Sequence, residues 1–134
     1  MIPFEVVVDG ERVLSDWPLE DRERRALITM LVVMNGIHEF TRAFNYVIFP
    51  TGEPGLYYAK ATGNTQMRPR CSLGLGRPSM EVDFLCRAIK KGGRIIPPDA
   101  NSQALTVRSE LHAGNLQRVR YRPMPPKRAN TTDE

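Results

Sequence analysis

Three arginines surround a glycine-rich segment in the middle of the chain, and this combination has the chemistry of an anion-binding site. The arginines are Arg68, Arg70 and Arg77. They flank Gly74-Leu75-Gly76, directly before a helix that the pattern of residues 79–91 predicts to begin at Ser79. The first turn of a helix exposes unpaired N–H groups, and glycine lets the backbone approach an anion closely. The sequence therefore predicts phosphate contacts by these arginines and Ser79, with a solubilising loop as the alternative.

A second group of arginines alternates with apolar residues further along the chain. Its members are Arg118, Arg120 and Arg122. Because Val119 and Tyr121 lie between them, a strand over residues 116–122 would place the arginines on one face and the apolar side chains on the other. Residues on one face of a strand lie about 6 to 7 Å apart, close to the spacing of phosphates in nucleic acid. The sequence predicts either a phosphate-tracking strand, with one of Tyr57 and Tyr58 as a stacking surface, or a charged sheet edge that resists pairing.

The two histidines are the side chains that titrate near neutral pH, so any acid–base chemistry must begin with them. His38 and His112, together with an arginine such as Arg42, would supply the base, the acid and the positive charge of a metal-independent ribonuclease. Nothing in the sequence brings the two histidines together, and the alternative is that both are solvated. A binding function is therefore favoured over an enzymatic one.

Two cysteines, Cys71 and Cys86, stand apart in the sequence without a Cys-x-x-Cys motif. The two histidines are also far apart in the sequence, so the ligand spacing of a structural zinc site is absent. In the absence of an export signal, two reduced thiols are expected instead of a disulfide. The glycine-rich segment lacks the P-loop lysine and the third glycine of the dinucleotide motif, so no metal or cofactor is predicted.

The first third of the chain predicts a hairpin followed by a helix. Asp9-Gly10 between two apolar runs is typical of a two-residue turn, which places a β-hairpin over residues 4–14. Helix-start residues around Pro18 precede an apolar stretch that ends at Asn35-Gly36, and this pattern predicts a buried helix. Asn35-Gly36 is also a hairpin turn, so residues 31–40 leave both a helix and a hairpin open.

The remaining chain predicts a short helix, four strands and a second long helix. In chain order these are helix 37–44, strands 46–49 and 56–60, helix 79–91, and strands 105–111 and 116–122. Without the short helix the order is ββαββαββ, which lacks the strict alternation of parallel βαβ units. It predicts an α+β fold in which a mainly antiparallel sheet carries the two principal helices on one face.

The composition is that of an ordinary globular protein, with 134 residues, 41% hydrophobic and 25% charged. Leu, Ile, Val and Phe make up about a quarter of the chain, which excludes an intrinsically disordered protein. No stretch is long and apolar enough for a membrane span, and the first residues lack a secretory signal. We expect one cytoplasmic domain over residues 1–122, no membrane partner, and a flexible, proline-rich basic tail over residues 123–134.

The basic charge is concentrated in the second half of the chain. The net charge is +4, but residues 1–60 contain nine acids and six bases, whereas residues 61–134 contain six acids and thirteen bases. Such a field attracts polyanions. The leading hypothesis is a small accessory domain that binds RNA or DNA through the phosphate backbone. A protein-interaction module with an acidic partner surface is the alternative, a ribonuclease is the second alternative, and the oligomeric state is left open.

Overall fold

The computed structural model describes residues 1–38, 40–60 and 66–122, so the predicted tail lies outside the described residues. In chain order the elements are β1 (Ile2–Val8), β2 (Glu11–Arg12), α1 (Asp21–Asn35), α2 (Phe40–Ala43), β3 (Ile48–Pro50), β4 (Tyr57–Ala59), β5 (Arg70–Leu73), β6 (Glu81–Cys86), β7 (Ile89–Lys91), β8 (Arg94–Ile96), α3 (Ala100–His112) and β9 (Gln117–Arg120). The fold is α+β with a mixed sheet. None of the described helices has the length and apolarity that crossing a bilayer requires.

The predicted hairpin and first helix are confirmed. Asp9 and Gly10 adopt φ angles of 52° and 80° between β1 and β2, as a tight hairpin turn requires. Helix α1 extends through Asn35, so the helix is correct for the start of residues 31–40 and the rival hairpin is wrong. Four apolar side chains hold α1 against the sheet. They are Leu27, Met30, Leu31 and Met34, all of them buried.

Helix α1 begins three residues later than the sequence predicts, at Asp21. Ser15, an expected helix-start residue, is bound elsewhere, because its N–H and its hydroxyl both donate to the buried carboxylate of Glu5. Glu20 takes the N-cap position instead, and its N–H donates to the Glu23 carboxylate at 3.2 Å. This capping box satisfies a backbone donor that the start of the helix would otherwise leave unpaired.

Strand β1 lies inside the main sheet. It pairs with β6 in parallel and with β2 and β9 in antiparallel orientation. Beyond β6 the sheet continues through β5 and β4 to β3. Every described strand pair other than β1–β6 is antiparallel, and β7 and β8 form a separate two-stranded hairpin.

Residues 79–91 are not the helix that their pattern predicts, because they contain β6 and β7. All six residues of β6 are buried. Its first four residues, Glu81-Val82-Asp83-Phe84, do alternate polar and apolar, but Leu85 and Cys86 are both apolar because the strand is covered on both faces. The alternation is therefore short, and the helix-like spacing of the apolar residues 82, 85 and 89 outweighs it. Gly92 and Gly93 resemble the end of a helix, but their φ angles of 58° and 77° form the turn between β7 and β8.

The strand predicted over residues 105–111 is also wrong, because α3 covers this segment. Ala100, Ala104 and Leu111 are buried, and their spacing places them on one face of a helix. The alternation that includes Thr106 has high β propensity, but burial of the small-residue face against the sheet outweighs it.

Helices α1 and α3 pack on opposite faces of the sheet, whereas the sequence predicts both principal helices on one face. Successive residues of a strand point to opposite faces. On β6, Phe84 belongs to the apolar cluster with α1, whereas Leu85 belongs to the cluster with α3. The core is therefore divided by the sheet, so buried side chains on the α1 face and on the α3 face belong to separate clusters.

Candidate nucleic-acid interface

The predicted arginine–glycine loop does bind anions, but they are carboxylates of its own chain. The loop turns back onto β6, where the N–H of Leu75 donates to Asp83 at 2.8 Å and the N–H of Arg77 donates to Glu81 at 3.2 Å. Ser79 is exposed and precedes a strand, so the helix N-terminus on which the predicted phosphate site depended is absent. Internal carboxylates occupy the donors that the sequence offered to a phosphate.

Arg118, predicted to lie on the exposed face of the last strand, is bound in the same cluster. Its guanidinium lies 2.8 Å from the carboxylate of Glu81 and 2.7 Å from that of Asp83. The guanidinium also stacks over Phe4, 3.7 Å from the ring centroid. Its side chain is only 16% exposed. The predicted exposure is wrong for Arg118, because two buried carboxylates on β6, on the other side of β1, require a cation.

The two carboxylates of this cluster respond differently to burial. Burial alone would raise the pKa of Glu81, but hydrogen bonds from Arg118 and Arg77 outweigh it and hold the pKa below its usual value. Burial of Asp83 is complete and raises its pKa, although Leu75 and Arg118 both bond to it. This ion-pair cluster holds together the loop, β6 and β9. Its members are two acids and two arginines, Glu81, Asp83, Arg77 and Arg118.

The rest of the last strand follows the prediction. Arg120 and Arg122 are exposed, Tyr121 is buried and Val119 is partly buried. The structure therefore divides the second predicted group of arginines. One member stabilises the fold and the other two face solvent.

Arg68 and Arg70 lie at the opposite end of β5 from the glycine loop, and both are buried. Arg70 donates to the side-chain oxygen of Asn101 on α3 at 2.8 Å and to the carbonyl of Arg68 at 2.7 Å. Its guanidinium lies 5.5 Å from the ring centroid of Tyr58. Arg68 donates to the carbonyl of Met67 at 2.8 Å. The predicted loop group is thus separated, with Arg77 at one end of the sheet and these two arginines at the other.

Tyr58 and Phe49 form a stacked aromatic pair on the α3 face of the sheet. Their ring centroids are 5.5 Å apart and their planes differ by 22°. Both side chains are partly exposed. Cations lie on both sides of the pair, Arg70 over Tyr58 and Lys60 at 6.0 Å from the Phe49 centroid. We call these four residues the aromatic platform.

Tyr57 does not belong to the platform. It points to the other face of the sheet and makes an edge-to-face contact with Phe44. The sequence correctly limited the stacking surface to one of the two adjacent tyrosines, since neighbours on a strand face opposite ways. It did not identify Phe49, because the pairing of β3 with β4 that brings Phe49 opposite Tyr58 leaves no local signal.

A basic hairpin extends beside the platform. It comprises β7, β8 and their turn, residues 89–96, and its charged side chains are Lys90, Lys91 and Arg94. All three are exposed, and the hairpin contains no acid. The N–H of Lys90 donates to the carbonyl of Gln66 at 2.6 Å. The segment 66–70 therefore connects the hairpin to Arg70 of the platform.

The two histidines are not brought together. His38 follows α1 and lines a shallow surface groove with Arg42 and Tyr46. His112 is the last residue of α3 and is exposed. Because α1 and α3 lie on opposite faces of the sheet, the base and the acid of the predicted ribonuclease site do not meet.

The cysteines lie on neighbouring strands as free, buried thiols. Burial raises the pKa of Cys86 to about 11 and raises that of Cys71 still further. We expect neither thiol to react with an aromatic disulfide reagent in the native protein at neutral pH, because the thiolate is the reactive form. Absorbance of the released thiol would check this, with denatured protein as the control. Rapid reaction of the native protein would show that β5 and β6 separate readily.

Within residues 1–38, 40–60 and 66–122, no three His, Cys, Asp or Glu side chains are grouped so as to hold a metal ion. Comparison with protein-family models, curated proteins and solved structures found no match to this chain. The surface itself therefore has to identify the candidate site. Its two distinctive features are the aromatic platform and the basic hairpin.

Proposed function

We propose that the protein binds single-stranded nucleic acid across the aromatic platform and the basic hairpin. The observation that carries the proposal is the stacked pair of Phe49 and Tyr58, partly exposed and flanked by two cations. Proteins that bind single strands combine aromatic stacking surfaces with positive charge along the backbone path. This is the combination of groups present at this end of the sheet.

Each part of the surface has a separate role. An unpaired base stacks on the outer face of Phe49, where the Lys60 side chain, now 6.0 Å from the ring centroid, moves aside to a phosphate. Every base can make this stacking interaction. Lys90, Lys91 and Arg94 neutralise the phosphates on either side of that base. Arg70 is a positioning residue, because its bonds to Asn101 and to the Arg68 carbonyl hold the guanidinium against Tyr58.

Arg118 and Arg77 are not part of this path, because carboxylates already pair with them. Arg120 is distant from it for a topological reason. It pairs with Phe4 near the start of β1, whereas the hairpin follows the end of β6, which runs parallel to β1. The proposal therefore keeps the phosphate chemistry predicted from the sequence and moves it to other residues.

We expect labelled single-stranded oligonucleotides, RNA and DNA alike, to bind more tightly than a duplex of the same length. Fluorescence anisotropy across a salt series would measure both affinity and its salt dependence. Changing Lys90, Lys91 and Arg94 together to Gln should reduce the slope of log affinity against log salt by about 2, since each single-strand phosphate contact contributes about 0.7. Changing Tyr58 to Leu should weaken binding about 5- to 100-fold and leave the slope unchanged.

Matched variants make the test specific. The substitutions Arg22→Gln, Arg25→Gln and Arg122→Gln together remove the same charge from exposed positions elsewhere. Tyr46→Leu removes a tyrosine that is 52% exposed and lies outside the platform. Equal losses from both triple variants would indicate unspecific attraction by net charge and would overturn the proposed site. So would equal binding by the Tyr58 and Tyr46 variants.

A further inference from the structure

Strand β9 forms one edge of the main sheet in the part of the chain that the structure describes, and its outer backbone groups can be identified. The N–H of Tyr121 donates to the carbonyl of Pro3 at 2.9 Å. In an antiparallel pair, hydrogen-bonded positions alternate with positions whose backbone groups point away. Arg118 and Arg120 are at the alternate positions, opposite Val6 and Phe4. Their N–H and C=O groups therefore point out of the sheet edge.

The two faces of this edge differ in chemistry. On the α3 face lie the side chains of the strand's arginines, of which Arg120 is exposed. On the α1 face, a cleft of about 320 Å³ opens between β9 and the C-terminal half of α1. Its lining residues are Pro3, Leu31, Val32, Asn35, Arg120, Tyr121 and Arg122. Val32, which lines the cleft, is 56% exposed and so offers an apolar surface to a ligand there.

We infer that this edge binds an extended segment of a partner protein in which acidic and apolar residues alternate. The segment adds a strand to β9, so that its backbone pairs with the outward groups of Arg118 and Arg120. Its acidic side chains lie on the face of Arg120 and Arg122, and its apolar side chains enter the cleft beside Val32. Such alternation is what a strand must have when one face meets exposed cations and the other meets the apolar side chains of the cleft, Leu31 and Val32.

Charge selects this occupant over others. The lining of the cleft includes two arginines and no acid. A second copy of the chain would place arginines of one β9 against those of the other, and like charges on paired strands are destabilising. A nucleic-acid backbone would use the arginines but neither the outward peptide groups nor the apolar side chains in the cleft. The inference is independent of the proposed function, since the edge lies at the other end of the sheet from the platform.

The test uses the full chain and a short synthetic peptide in which Glu and Val alternate. Anisotropy of the labelled peptide should show saturable binding, and the amide NMR signals of Arg118 and Arg120 should shift. Two control peptides isolate the contributions, one with Lys in place of Glu and one with Ser in place of Val. Each control peptide is expected to bind at least about tenfold more weakly. Equal binding by either control would overturn the inference.

Three variants locate the site. Val32→Glu should weaken peptide binding about tenfold or more, because it places a charge in the cleft. Val33→Glu is its matched control, since Val33 is 37% exposed and does not line the cleft. Arg120→Pro removes an outward N–H that the sheet does not use, and it should bind more weakly than Arg120→Gln. All variants are first shown to melt like the wild type.

Four outcomes would contradict the inference. The first is equal peptide binding by the Val32 and Val33 variants, and the second is equal peptide binding by the Pro and Gln variants at residue 120. A dimer of the protein alone that Val32→Glu dissociates would assign the edge to a second copy. Oligonucleotide binding weakened by Arg120→Gln more than peptide binding would assign it to nucleic acid. Loss of oligonucleotide binding by the Tyr58 variant with peptide binding intact would leave this inference standing.

Discussion

Replacing Arg118 by Gln is expected to lower the free energy of unfolding by about 3 kcal/mol, the loss typical when one partner of a buried ion pair is removed. The substitution leaves Asp83 fully buried and Glu81 nearly so, without the guanidinium that now lies within 2.8 Å of both. It also removes the cation stacked over Phe4. Urea unfolding followed by circular dichroism would measure the loss.

Arg120→Gln provides the control for this prediction. Arg120 is on the same strand and face but is exposed, so its replacement should change stability by less than about 0.5 kcal/mol. In the Arg118→Gln background, Asp83→Asn should recover part of the lost free energy of unfolding, because it removes the uncompensated charge. Equal effects of the two arginine substitutions would contradict the role given to the cluster.

The loss of unfolding free energy in the Arg118→Gln variant, relative to the wild type, should become smaller as the pH falls from 7 towards 5. Burial already raises the pKa of Asp83. Removing Arg118, which opposes that rise, raises the pKa further. The folded state then binds a proton that the unfolded state has released, so stability decreases as pH rises through this range. Urea midpoints of variant and wild type at several pH values would check the sign.

The second large effect is expected at Gly74. A Cβ atom added there would overlap the Glu81 side chain at its Cβ and would lie 2.9 Å from the Glu81 carbonyl carbon. Because much of this contact is with backbone, β5 and β6 must separate to accommodate it. We expect Gly74→Ala to cost about 2 to 3 kcal/mol of unfolding free energy.

Gly76→Ala tests whether the clash with backbone is the cause. A Cβ atom at Gly76 would meet the carboxylate of Glu81 at 2.8 Å and the guanidinium of Arg118 at 3.2 Å. These are ends of side chains, which can move, so a smaller loss is expected. If thermal melting showed Gly76→Ala to be the more damaging change, the ion pairs would be more rigid than the strands that carry them.

The features that the sequence predicted correctly are those with local causes. The Asp9-Gly10 turn forms because its φ angles are easily reached by these two residues. Helix α1 has a long apolar face, and it ends at Asn35 with Gly36 as its C-cap residue, where the sequence predicts the end. The strand of alternating Arg and apolar residues also forms, as β9. In each case the signal and the structure span the same few residues.

The errors arose where tertiary packing decides the local structure. Strand β6 alternates polar and apolar residues only over its first four positions, because it is covered on both faces and Leu85 and Cys86 are both apolar. Helix α3 is selected by the fit of Ala100 and Ala104 against the sheet, which no window of sequence contains. The prediction of both helices on one face was wrong for the same reason, because it depended on a helix that does not exist.

The candidate site was only partly predictable. The sequence placed the basic charge in the second half of the chain and predicted that Tyr57 and Tyr58 face opposite ways, but it gave neither the choice between them nor the partner of each arginine. Arg118 meets Asp83 only because β1 lies between their strands and brings both to Phe4. Phe49 reaches Tyr58 through strand pairing alone. A residue's exposure, and hence whether its charge is available to a ligand, is a property of the finished sheet.

The position of β1 between β6 and β9 also affects how the protein is made. Apart from the local hairpin with β2, the partners of β1 lie far away in the sequence, since Val6 packs in the core with Leu85 and β1 pairs with β9 through Arg120. Sheets with such distant pairings fold slowly. During translation, β1 lacks β6 and β9, so its apolar residues stay exposed until most of the described chain has been synthesised. During that interval the nascent chain is open to aggregation and to chaperones, and β9 closes the sheet last.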